Sequence, residues 1–279
     1  MSRYLLAQAV QPSLREFLAQ RPLLAFDFDG TLAPIVRDPA AARVPARTRS
    51  LLAEVAELYP CAVVSGRARR DVRDRVAGVR LVSIVGNHGA EAGARPAVPR
   101  RDVVRWKRRL ETALEGEAGV WIEDKRYSLS IHYRNAPSRA RAARVIGVAL
   151  SELPEVRVVS GKCVVNVVAR SARDKGLAVL ALRAQSRAPC VLYVGDDVTD
   201  EDAFRLASPR FWAVRVGRSK STAAPFHLVN QREIVNLLRF CKSNRPSSER
   251  GSRTRPNRVR LEEVRSVPGS PWSPYQQVV

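Results

Sequence analysis

LLAFDFDGT at residues 23–31 sets two carboxylates, those of Asp27 and Asp29, directly after a short apolar run. In an extended chain, side chains two residues apart point the same way, so both acids can reach one site at the end of a strand. One carboxylate can attack phosphorus and form an aspartyl phosphate, while the other gives a proton to the leaving oxygen and later takes one from water. The stretch therefore predicts a buried strand that ends in a site suited to phosphoryl transfer.

A divalent cation is expected beside these acids, because two aspartates and a phosphate dianion repel one another. Hard oxygen ligands of this kind select Mg²⁺ over softer metals. Gly30 lets the chain turn sharply behind the acids, and the Thr31 hydroxyl and nearby N–H groups can donate to phosphate oxygens. An EF-hand calcium loop would need glycine at the sixth position from Asp27, where Leu32 stands, and this argues against a calcium loop.

The composition is that of a globular protein with one large domain or two modest ones, since 45% of the 279 residues are apolar. No apolar stretch approaches the roughly 20 residues that span a bilayer, and no continuous apolar segment precedes the first strand as in a signal peptide. The four cysteines are scattered without a CxxC pair, which favours buried reduced thiols over disulfides or metal ligands. We expect a soluble, cytoplasmic, monomeric protein without a membrane partner.

The chain is strongly basic, with 48 Lys and Arg against 27 Asp and Glu and a formal net charge of +21. A basic surface binds polyanions without any special motif, so nucleic acid is one candidate partner. The charges are spread along the whole chain, and no RNA-binding signature, helix-turn-helix spacing or Cys/His finger stands out. We do not expect specific nucleic-acid binding, and we interpret the basicity as a general attraction for a phosphorylated substrate.

Three apolar runs each end in a polar cluster, which is typical of parallel strands whose carboxyl ends build a site. They are LLAFDFDGT at 23–31, CAVVSGR at 61–67 and VLYVGDD at 191–197. Segments with helical spacing of apolar residues, at 45–59 and 68–77, alternate with these runs. This alternation predicts an α/β fold with a Rossmann-like parallel sheet and right-handed crossovers.

The middle third follows a different pattern, in which paired strands replace the alternation. It contains two helix–strand–strand units, which we place at 101–116, 120–123, 127–133, 137–150, 156–159 and 163–168. We interpret residues 93–169 as an α+β cap inserted into a core formed by residues 1–92 and 170–243. Residues 244–279 are rich in Ser, Pro, Arg and Gly, a composition that predicts a disordered basic tail.

A second acidic cluster lies in VGDDVTDEDAF at 194–204. Asp196 directly follows the strand, where a third oxygen ligand could complete the Mg²⁺ site. Asp197 and Asp200 are close enough in sequence to hold that ligand shell in place. For Glu201 and Asp202, the favourable placing of negative charge at a helix start is a sufficient explanation.

Ser65, Gly66 and Lys175 supply hydrogen-bond donors, which ionised carboxylates lack. Serine at the end of a strand, followed by Gly66 and a helix start, offers a hydroxyl and free N–H groups to an anion. Lys175 adds a full positive charge that stabilises both a phosphate and Asp27. Taken singly, each residue is equally explained as an ordinary cap residue or a solvated charge.

Taken in order, FDFDGT, VVSGR, RDKG and VGDDVTDEDAF resemble the four motifs of the haloacid dehalogenase (HAD) superfamily of phosphatases. Four further stretches are similar to the trehalose-6-phosphate phosphatase family, namely GNHGAEA at 86–92, EDKRYSLSIHYR at 123–134, GKCVV at 161–165 and the TDEDAF ending. The resemblance covers residues 15–240. It implies a Mg²⁺-dependent phosphatase of trehalose biosynthesis that hydrolyses trehalose 6-phosphate through an aspartyl phosphate.

The resemblance also implies a role for each matching residue. Asp27 is the expected nucleophile and Asp29 the general acid and base, with Ser65 and Lys175 as the phosphate-binding pair. The expected metal residues are Asp27, Asp29, Asp196, Asp197 and Asp200. The expected substrate-binding residues are Gly30, Thr31, Gly66, Arg67, His88, Glu123, Lys125, His132, Arg134 and Asn166. A trehalose-phosphate synthase is a candidate partner.

Several of the expected sugar-binding residues also have simpler interpretations. His132 and Arg134 lie on the polar face and near the end of a strand, where they could face only solvent. His88 lies in a glycine-bracketed turn, where its ring could pack locally. Glu123 and Lys125 could form a surface ion pair of little energetic value.

Two positions depart from the family's pattern. After GKCVV the family has a glutamate and, two residues further on, a basic residue, whereas this chain has Asn166 and Val168. An amide can still hydrogen-bond sugar hydroxyls, but it is not a charged acceptor, and valine donates nothing. A related sugar phosphatase of different or broader substrate range therefore stays open, as does a nucleic-acid or regulatory binder built on a phosphatase fold.

Overall fold

The computed structural model describes residues 2–92, 97–161 and 163–244, and within them the larger of two sheets is wholly parallel. Its strands are β1 Arg3–Tyr4, β2 Leu23–Phe26, β3 Cys61–Val64, β4 Ser83–Val85, β9 Val191–Gly195, β10 Phe211–Val216 and β11 Phe226–Leu228. Their order across the sheet is β1-β11-β10-β9-β2-β3-β4. The strand that carries the two aspartates, β2, therefore lies between β9 and β3 in the middle of the sheet.

Helices cover both faces of the parallel sheet, which explains why its central strands are apolar throughout. One face packs against α1 Gln11–Ala19, α2 Ala46–Ala56, α3 Arg69–Arg75 and α8 Ile234–Ser243, and the other against α6 Lys175–Ser186 and α7 Glu201–Phe204. Alternate residues of β2 show the division, because Leu24 and Phe26 pack on the first face while Leu23 and Ala25 pack on the second. All four of these side chains are completely buried.

The chain between β4 and α6 forms the smaller sheet, and we call residues 100–169 the insert. Its elements are α4 Arg100–Ala113, β5 Trp121–Asp124, β6 Leu129–His132, α5 Arg139–Ser151, β7 Val156–Gly161 and β8 Val164–Ala169. The strands are antiparallel in the order β5-β6-β8-β7. Leu129, Ile131 and Val167 pack with Trp106 of α4 and Ile146 of α5 in a second hydrophobic core.

The other face of the insert sheet carries polar side chains. Glu123 and Asn166 both lie opposite Ser130, Arg157 lies opposite Val168, and His132 is two residues from Ser130 along β6. Because directly opposite residues of an antiparallel pair point to the same side, these residues share one face. We call Glu123, Ser130, His132, Arg157 and Asn166 the polar face of the insert.

The predicted fold class, a Rossmann-like parallel α/β core with an inserted α+β unit, is confirmed. The short elements β1, α1 and β11 were not predicted from the sequence. The disordered tail was predicted for residues 244–279, and from residue 245 onward it lies outside the described residues, as do 93–96 at the predicted start of the cap. Across the described ranges, no helix is both long and apolar enough to cross a membrane.

Trp106 anchors the core of the insert, since it is 1% exposed and its indole N–H donates to the Glu155 carboxylate at 2.8 Å. We predict that Trp106→Ala lowers the free energy of unfolding by about 3–5 kcal/mol, because it opens a cavity and leaves Glu155 without this donor. Val148→Ala, at a position on α5 that is 63% exposed, is the control and should change stability by less than about 0.5 kcal/mol. Urea unfolding measures both, and equal effects would contradict the assignment of this core.

Candidate active site

The carboxyl ends of three neighbouring strands bring the predicted catalytic residues together. Asp27 follows β2, Ser65 follows β3 and Asp196 follows β9, and β2 is hydrogen-bonded to both of the other strands. Lys175 is the first residue of α6, whose N-terminus is capped by Asp174 through its bond to the Leu177 N–H at 2.7 Å. Parallel pairing therefore places these groups at one edge of the sheet.

Lys175 is buried between two carboxylates. Its ammonium donates to Asp27 Oδ1 at 2.9 Å and to Asp200 Oδ1 at 2.7 Å, and its side chain is 3% exposed. Burial alone would lower the pKa of Lys175, but Asp200 and Asp27 outweigh burial and hold it above its usual value. An ammonium has three N–H donors. Two of them are used on carboxylates, and the third has no partner among the described residues, so it is available to a ligand.

Asp200 acts as a fixed support, because its oxygens are fully engaged by the protein. Oδ1 accepts from Lys175 and from the Tyr193 hydroxyl at 2.6 Å, and Oδ2 accepts from the backbone N–H groups of Asp196 and Asp197 at 2.9 Å each. These bonds hold the loop that presents Asp196. The side chain of Asp197 is exposed, and it lies outside the carboxylate cluster described next.

Asp27, Asp196 and Asp200 each offer a carboxylate oxygen, and these oxygens lie within 4.8 Å of one another. The Asp196 carboxylate accepts from the Thr31 hydroxyl at 3.3 Å and lies directly against Gly30, where any side chain would collide with it. Gly30 also has a φ of +79°, a conformation that favours glycine. An all-oxygen cluster of this kind fits a hard divalent cation, with Asp27 and Asp196 as contacts and Asp200 behind them.

The electrostatics of this cluster favour neutralisation by a cation. Burial raises the pKa of Asp196 to about 7, and the neighbouring Asp200 carboxylate adds to the effect. Burial also raises the pKa of Asp27 well above its usual value, and Lys175 opposes the rise only in part. Each charge is thus costly where it stands, and a bound cation would relieve that cost.

Asp29 lies apart from the carboxylate cluster and is held by Arg67. The guanidinium donates to both Asp29 oxygens at 2.7 Å, to Asp71 at 2.9 Å and to the Pro39 carbonyl at 2.8 Å. The same guanidinium lies 5.4 Å from the centre of the Phe28 ring. Arg67 was predicted to bind substrate, and in this structure four of its five donors are used to position Asp29 and its surroundings.

Ser65 and His88 form the neighbouring wall of the site. The Ser65 hydroxyl accepts from the Arg67 N–H at 3.1 Å, and the Ser65 carbonyl accepts from the His88 N–H at 3.0 Å. The His88 ring lies against Gly66, which leaves no room for a side chain there. Burial, followed by the charge of Lys175, lowers the pKa of His88 well below its usual value, so the ring is neutral. Its Nδ1 is buried and has no partner among the described residues.

Asn87 joins this wall to the insert. Its side-chain oxygen accepts from the Ser128 hydroxyl at 2.8 Å, and its amide donates to the Lys125 carbonyl at 3.3 Å and to Glu91 at 2.9 Å. Both insert residues belong to the turn between β5 and β6. The core turn at 87–89 and the insert hairpin are therefore tied by hydrogen bonds, with Asn87 fully buried between them.

Three of the predicted sugar-binding residues of the insert, Glu123, Lys125 and His132, form a connected group. Glu123 Oε2 lies 3.0 Å from His132 Nε2 and 3.8 Å from Lys125 Nζ. The Trp121 ring stacks on the His132 ring, with 4.0 Å between the ring centres. The bond from His132 lowers the pKa of Glu123. Arg134, beyond the end of β6, is exposed.

Asn166 is buried on the same polar face, opposite Ser130. Its oxygen accepts from the Ser130 hydroxyl at 2.6 Å, and its amide donates to the Val159 carbonyl at 3.3 Å.

Several residues that complete this site were not assigned a role from the sequence. Tyr193 lies inside an apolar strand run, so nothing marks its hydroxyl as a partner of Asp200. Asn87 stands in the GNHGAEA stretch, which was recognised only as a resemblance. Glu201 was attributed to a helix start, yet it is buried and accepts from Arg215 and from the Ala223 N–H, and so holds a loop beside the site.

Comparisons with known proteins agree with this geometry. A family model described as trehalose-phosphatase matches residues 25–231. The trehalose-phosphate phosphatase of Mycobacterium ulcerans (strain Agy99) is 35% identical over 238 residues, which cover 78% of this chain and 60% of that protein. Probable trehalose-phosphate phosphatase 4 of Oryza sativa subsp. japonica is 31% identical over 258 residues, covering 84% and 70%. The chain spans about three fifths of the length of the mycobacterial relatives.

Solved structures show the same fold. The C-terminal domain of C. albicans trehalose-6-phosphate phosphatase matches with a TM-score of 0.71 and 24% identity, covering 87% of this chain and 98% of that one. Aspergillus fumigatus trehalose-6-phosphate phosphatase (crystal form 3) matches with a TM-score of 0.63 and 25% identity, covering 87% and 99%.

The raised pKa of Asp196 predicts an unusual pH dependence of stability. The folded protein holds this proton more tightly than the unfolded chain, whose ordinary value is 3.8, so cation-free stability falls as pH rises from about 4 to 7. Above pH 7, Asp196 is ionised in the folded protein, and the full free-energy cost of its buried charge is present. Asp196→Asn removes the cost, and we predict a higher Tm than the parent in chelator at pH 8, with a difference that shrinks toward pH 4.

The same reasoning predicts that Mg²⁺ raises the Tm of the parent protein more at pH 8 than at pH 5, and that Asp196→Asn loses most of this gain. Thermal melts across pH, with chelator and with Mg²⁺, measure both effects. A lower Tm for Asp196→Asn in chelator at pH 8 would show that the carboxylate stabilises the cation-free fold, contrary to this account.

Proposed function

Because the chain belongs to the trehalose-phosphatase family, we propose that it hydrolyses trehalose 6-phosphate to trehalose and inorganic phosphate. The observation that carries the proposal is the placing of Asp27 at the end of β2, bonded to the buried Lys175 ammonium and beside the Asp196 carboxylate. The second oxygen of Asp27 has no hydrogen-bond partner among the described residues, so it is available to attack. A buried carboxylate with one fixed and one open oxygen suits a nucleophile.

In the first step, the open oxygen of Asp27 attacks phosphorus and forms an aspartyl phosphate. The bond between phosphorus and the sugar oxygen breaks, and Asp29 gives its proton to that oxygen, which leaves as the trehalose hydroxyl. The remaining N–H of Lys175, the Ser65 hydroxyl and the backbone at Gly66 are the donors available to the phosphoryl oxygens. The Thr31 hydroxyl, which was also predicted to bind phosphate, donates its one proton to Asp196. In the second step, water attacks phosphorus, Asp29 accepts its proton, and phosphate leaves as Asp27 is regenerated.

Arg67 sets the position of Asp29 for both steps. Each Asp29 oxygen accepts one N–H from the guanidinium, and Asp71 holds the guanidinium from the other side. Both Asp29 oxygens are therefore engaged by Arg67 in the absence of substrate. The rotation of Asp29 toward the leaving oxygen then requires only that one bond to Arg67 is given up.

The metal in this proposal is Mg²⁺, which Asp27 and Asp196 would hold while Asp200 fixes the loop. A bound Mg²⁺ neutralises charge on the phosphoryl oxygens. The all-oxygen donor set and the raised pKa values of Asp27 and Asp196 support a hard cation at this place. Asp29 and Asp197 remain predicted metal residues, although their side chains lie outside the cluster of three.

The insert is the proposed cap that covers the phosphoryl site and recognises the sugar. The bonds of Asn87 to Ser128 and Lys125 bring the β5–β6 hairpin to the core turn that carries His88. Glu123, Lys125, His132, Arg134 and Asn166 are its proposed sugar contacts, with Arg67 and His88 on the core side. We also propose that the protein acts as a cytoplasmic monomer supplied with substrate by a trehalose-phosphate synthase.

A related sugar phosphatase of broader range is the second candidate, and Val168 is the observation that favours it. Val168 is fully buried and offers no donor, and Asn166 already uses its amide group on Ser130 and Val159. Fewer polar groups are then free to hydrogen-bond one particular disaccharide than if both positions carried the family's charged residues. Selection by hydrogen bonds depends on such groups, because a ligand that leaves them unpaired is rejected.

A substrate panel separates the two candidates. We predict that kcat/KM for trehalose 6-phosphate exceeds that for glucose 6-phosphate and other sugar phosphates by at least about tenfold. Chelator should abolish phosphate release and Mg²⁺ restore it. Asp27→Asn should abolish turnover, whereas Asp74→Asn, an exposed residue on α3, is the matched control and should keep it. Equal rates on all sugar phosphates would refute the trehalose assignment, and an active Asp27→Asn variant would refute the nucleophile.

The role of Asp29 is tested by a substrate whose leaving group needs no proton. With trehalose 6-phosphate, Asp29→Asn should lower kcat by about 100-fold or more, because the sugar oxygen leaves poorly unprotonated. With p-nitrophenyl phosphate, the first turnover should still release nitrophenol rapidly in a burst, followed by slow hydrolysis of the aspartyl phosphate. Arg67→Lys loses the paired hydrogen bonds to Asp29. It should lower kcat with trehalose 6-phosphate and slow aspartyl phosphate hydrolysis, both by less than Asp29→Asn does. Loss of the burst in Asp29→Asn would contradict the proposed division of roles.

A further inference from the structure

Arg157, in the edge strand β7, is a half-buried cation that the mechanism does not use. Its Nη2 is buried and has no hydrogen-bond partner among the described residues. Leaving a guanidinium nitrogen in this state costs free energy, since a buried donor without an acceptor loses its bonds to water. The Asp202 carboxylate interacts electrostatically with Arg157, yet Nη2 itself has no acceptor among the described residues, which points to a ligand as its missing partner.

The strand register places Arg157 toward the proposed sugar site. Arg157 lies directly opposite Val168, and Asn166 is two residues from Val168 on the same strand. Arg157 therefore belongs to the polar face with Asn166 and Ser130, opposite to the face that packs on α4 and α5. The β7 strand also contacts the turn Val198–Asp200, which follows Asp196.

His88 is a second unsatisfied group at the same junction. Its Nδ1 is buried without a partner among the described residues. Burial lowers the pKa of the ring, and the charges of Lys175, Lys125 and Arg157 add to the effect. The turn that carries His88 is joined to the insert by Asn87. The core and the insert thus each carry an unsatisfied polar group in segments that contact the other part.

We infer that Arg157 is a specificity-determining residue that donates to sugar hydroxyl oxygens of the phosphorylated substrate, with His88 as its counterpart on the core side. The inference rests on the proposed function and adds to it a residue that no sequence motif marks. In this position Arg157 supplies the positive charge that Val168, directly opposite on β8, does not.

The neighbours of Arg157 favour sugar hydroxyls over the phosphoryl group. A guanidinium has five donors and no acceptor, so either kind of oxygen would suit it alone. The same face of the insert, however, carries the Asn166 amide and the Ser130 hydroxyl, and the neutral His88 ring lies on the core side. These groups mix donors and acceptors, and the Asp202 carboxylate also interacts electrostatically with Arg157. Hydroxyl groups both donate and accept, whereas a phosphate only accepts from its neighbours. The phosphoryl group has its own cation in Lys175, on the core side.

The test compares Arg157→Ala and Arg157→Lys with the parent protein in the presence of Mg²⁺. We expect Arg157→Ala to raise KM for trehalose 6-phosphate by about 10- to 100-fold while kcat changes less than about threefold, because the lost bonds are to a charged donor and lie away from the reacting phosphorus. Arg157→Lys keeps the positive charge but loses the planar set of guanidinium donors, and its KM should fall between those of the parent and Arg157→Ala. Arg144→Ala, an exposed arginine on α5, is the matched control and should leave KM unchanged.

Inhibition by inorganic phosphate distinguishes the two ends of the substrate. If Arg157 binds the sugar, Ki for phosphate stays unchanged in Arg157→Ala, and KM for p-nitrophenyl phosphate stays unchanged as well. A parallel rise in Ki and KM would place Arg157 on the phosphoryl group and overturn the inference. An unchanged KM for trehalose 6-phosphate would overturn it also.

Thermal stability separates recognition from a structural role. Because the buried nitrogen has no hydrogen-bond partner among the described residues, Arg157→Ala should melt at or above the temperature of the parent, and a fall of several degrees would show a structural residue instead. If the parent does not hydrolyse trehalose 6-phosphate, the proposed function fails first. The same KM and Ki comparison is then made with the sugar phosphate that the parent does hydrolyse, so the role of Arg157 is decided independently.

Discussion

The ammonium of Lys175, held between Asp27 and Asp200, is the interaction on which the rest of this site depends. Three carboxylates converge at one edge of a parallel sheet, and two of them are almost completely buried. Like charges so placed would repel strongly in a medium that screens poorly. One buried cation, anchored at the start of α6, makes the arrangement compatible with folding. It leaves the cluster short of positive charge, which a divalent cation would supply.

The site divides into a rigid core half and an insert half that differ in how their polar groups are satisfied. In the core, Asp200 uses both oxygens on protein donors, and Asp29 is held by Arg67, so the reacting groups are positioned before any ligand arrives. In the insert half, Arg157 has a buried nitrogen without a partner among the described residues, and His88 on the facing turn has another. The proposed function needs both properties, because the core half would carry out the reaction and the unsatisfied groups of the insert half would bind the substrate.

Sequence patterns predicted the core half better than the insert half, and the reason is physical. Of the proposed catalytic residues, Asp27 and Ser65 directly follow apolar strands and Lys175 begins a helix, so local signals locate them. Parallel pairing then brings Asp27, Ser65 and Asp196 to one edge. The partner of Asp200, Tyr193, and the link through Asn87 depend on contacts between distant segments, which no local pattern reports. Arg157 depends on the register of β7 against β8, and that register is set by packing of the opposite face on α4 and α5.

A double-mutant cycle on Lys175 and Asp200 tests the central claim most directly. In cation-free buffer, urea unfolding gives the free energy of unfolding for the parent, Lys175→Met, Asp200→Asn and the double variant. Lys175→Met alone should cost about 3–5 kcal/mol, because it leaves buried carboxylates unpaired. Much of that loss should disappear when Asp200 is also neutralised, giving a coupling of at least about 2 kcal/mol. Effects that add to within about 0.5 kcal/mol would contradict the view that this ammonium makes the carboxylate site compatible with the fold.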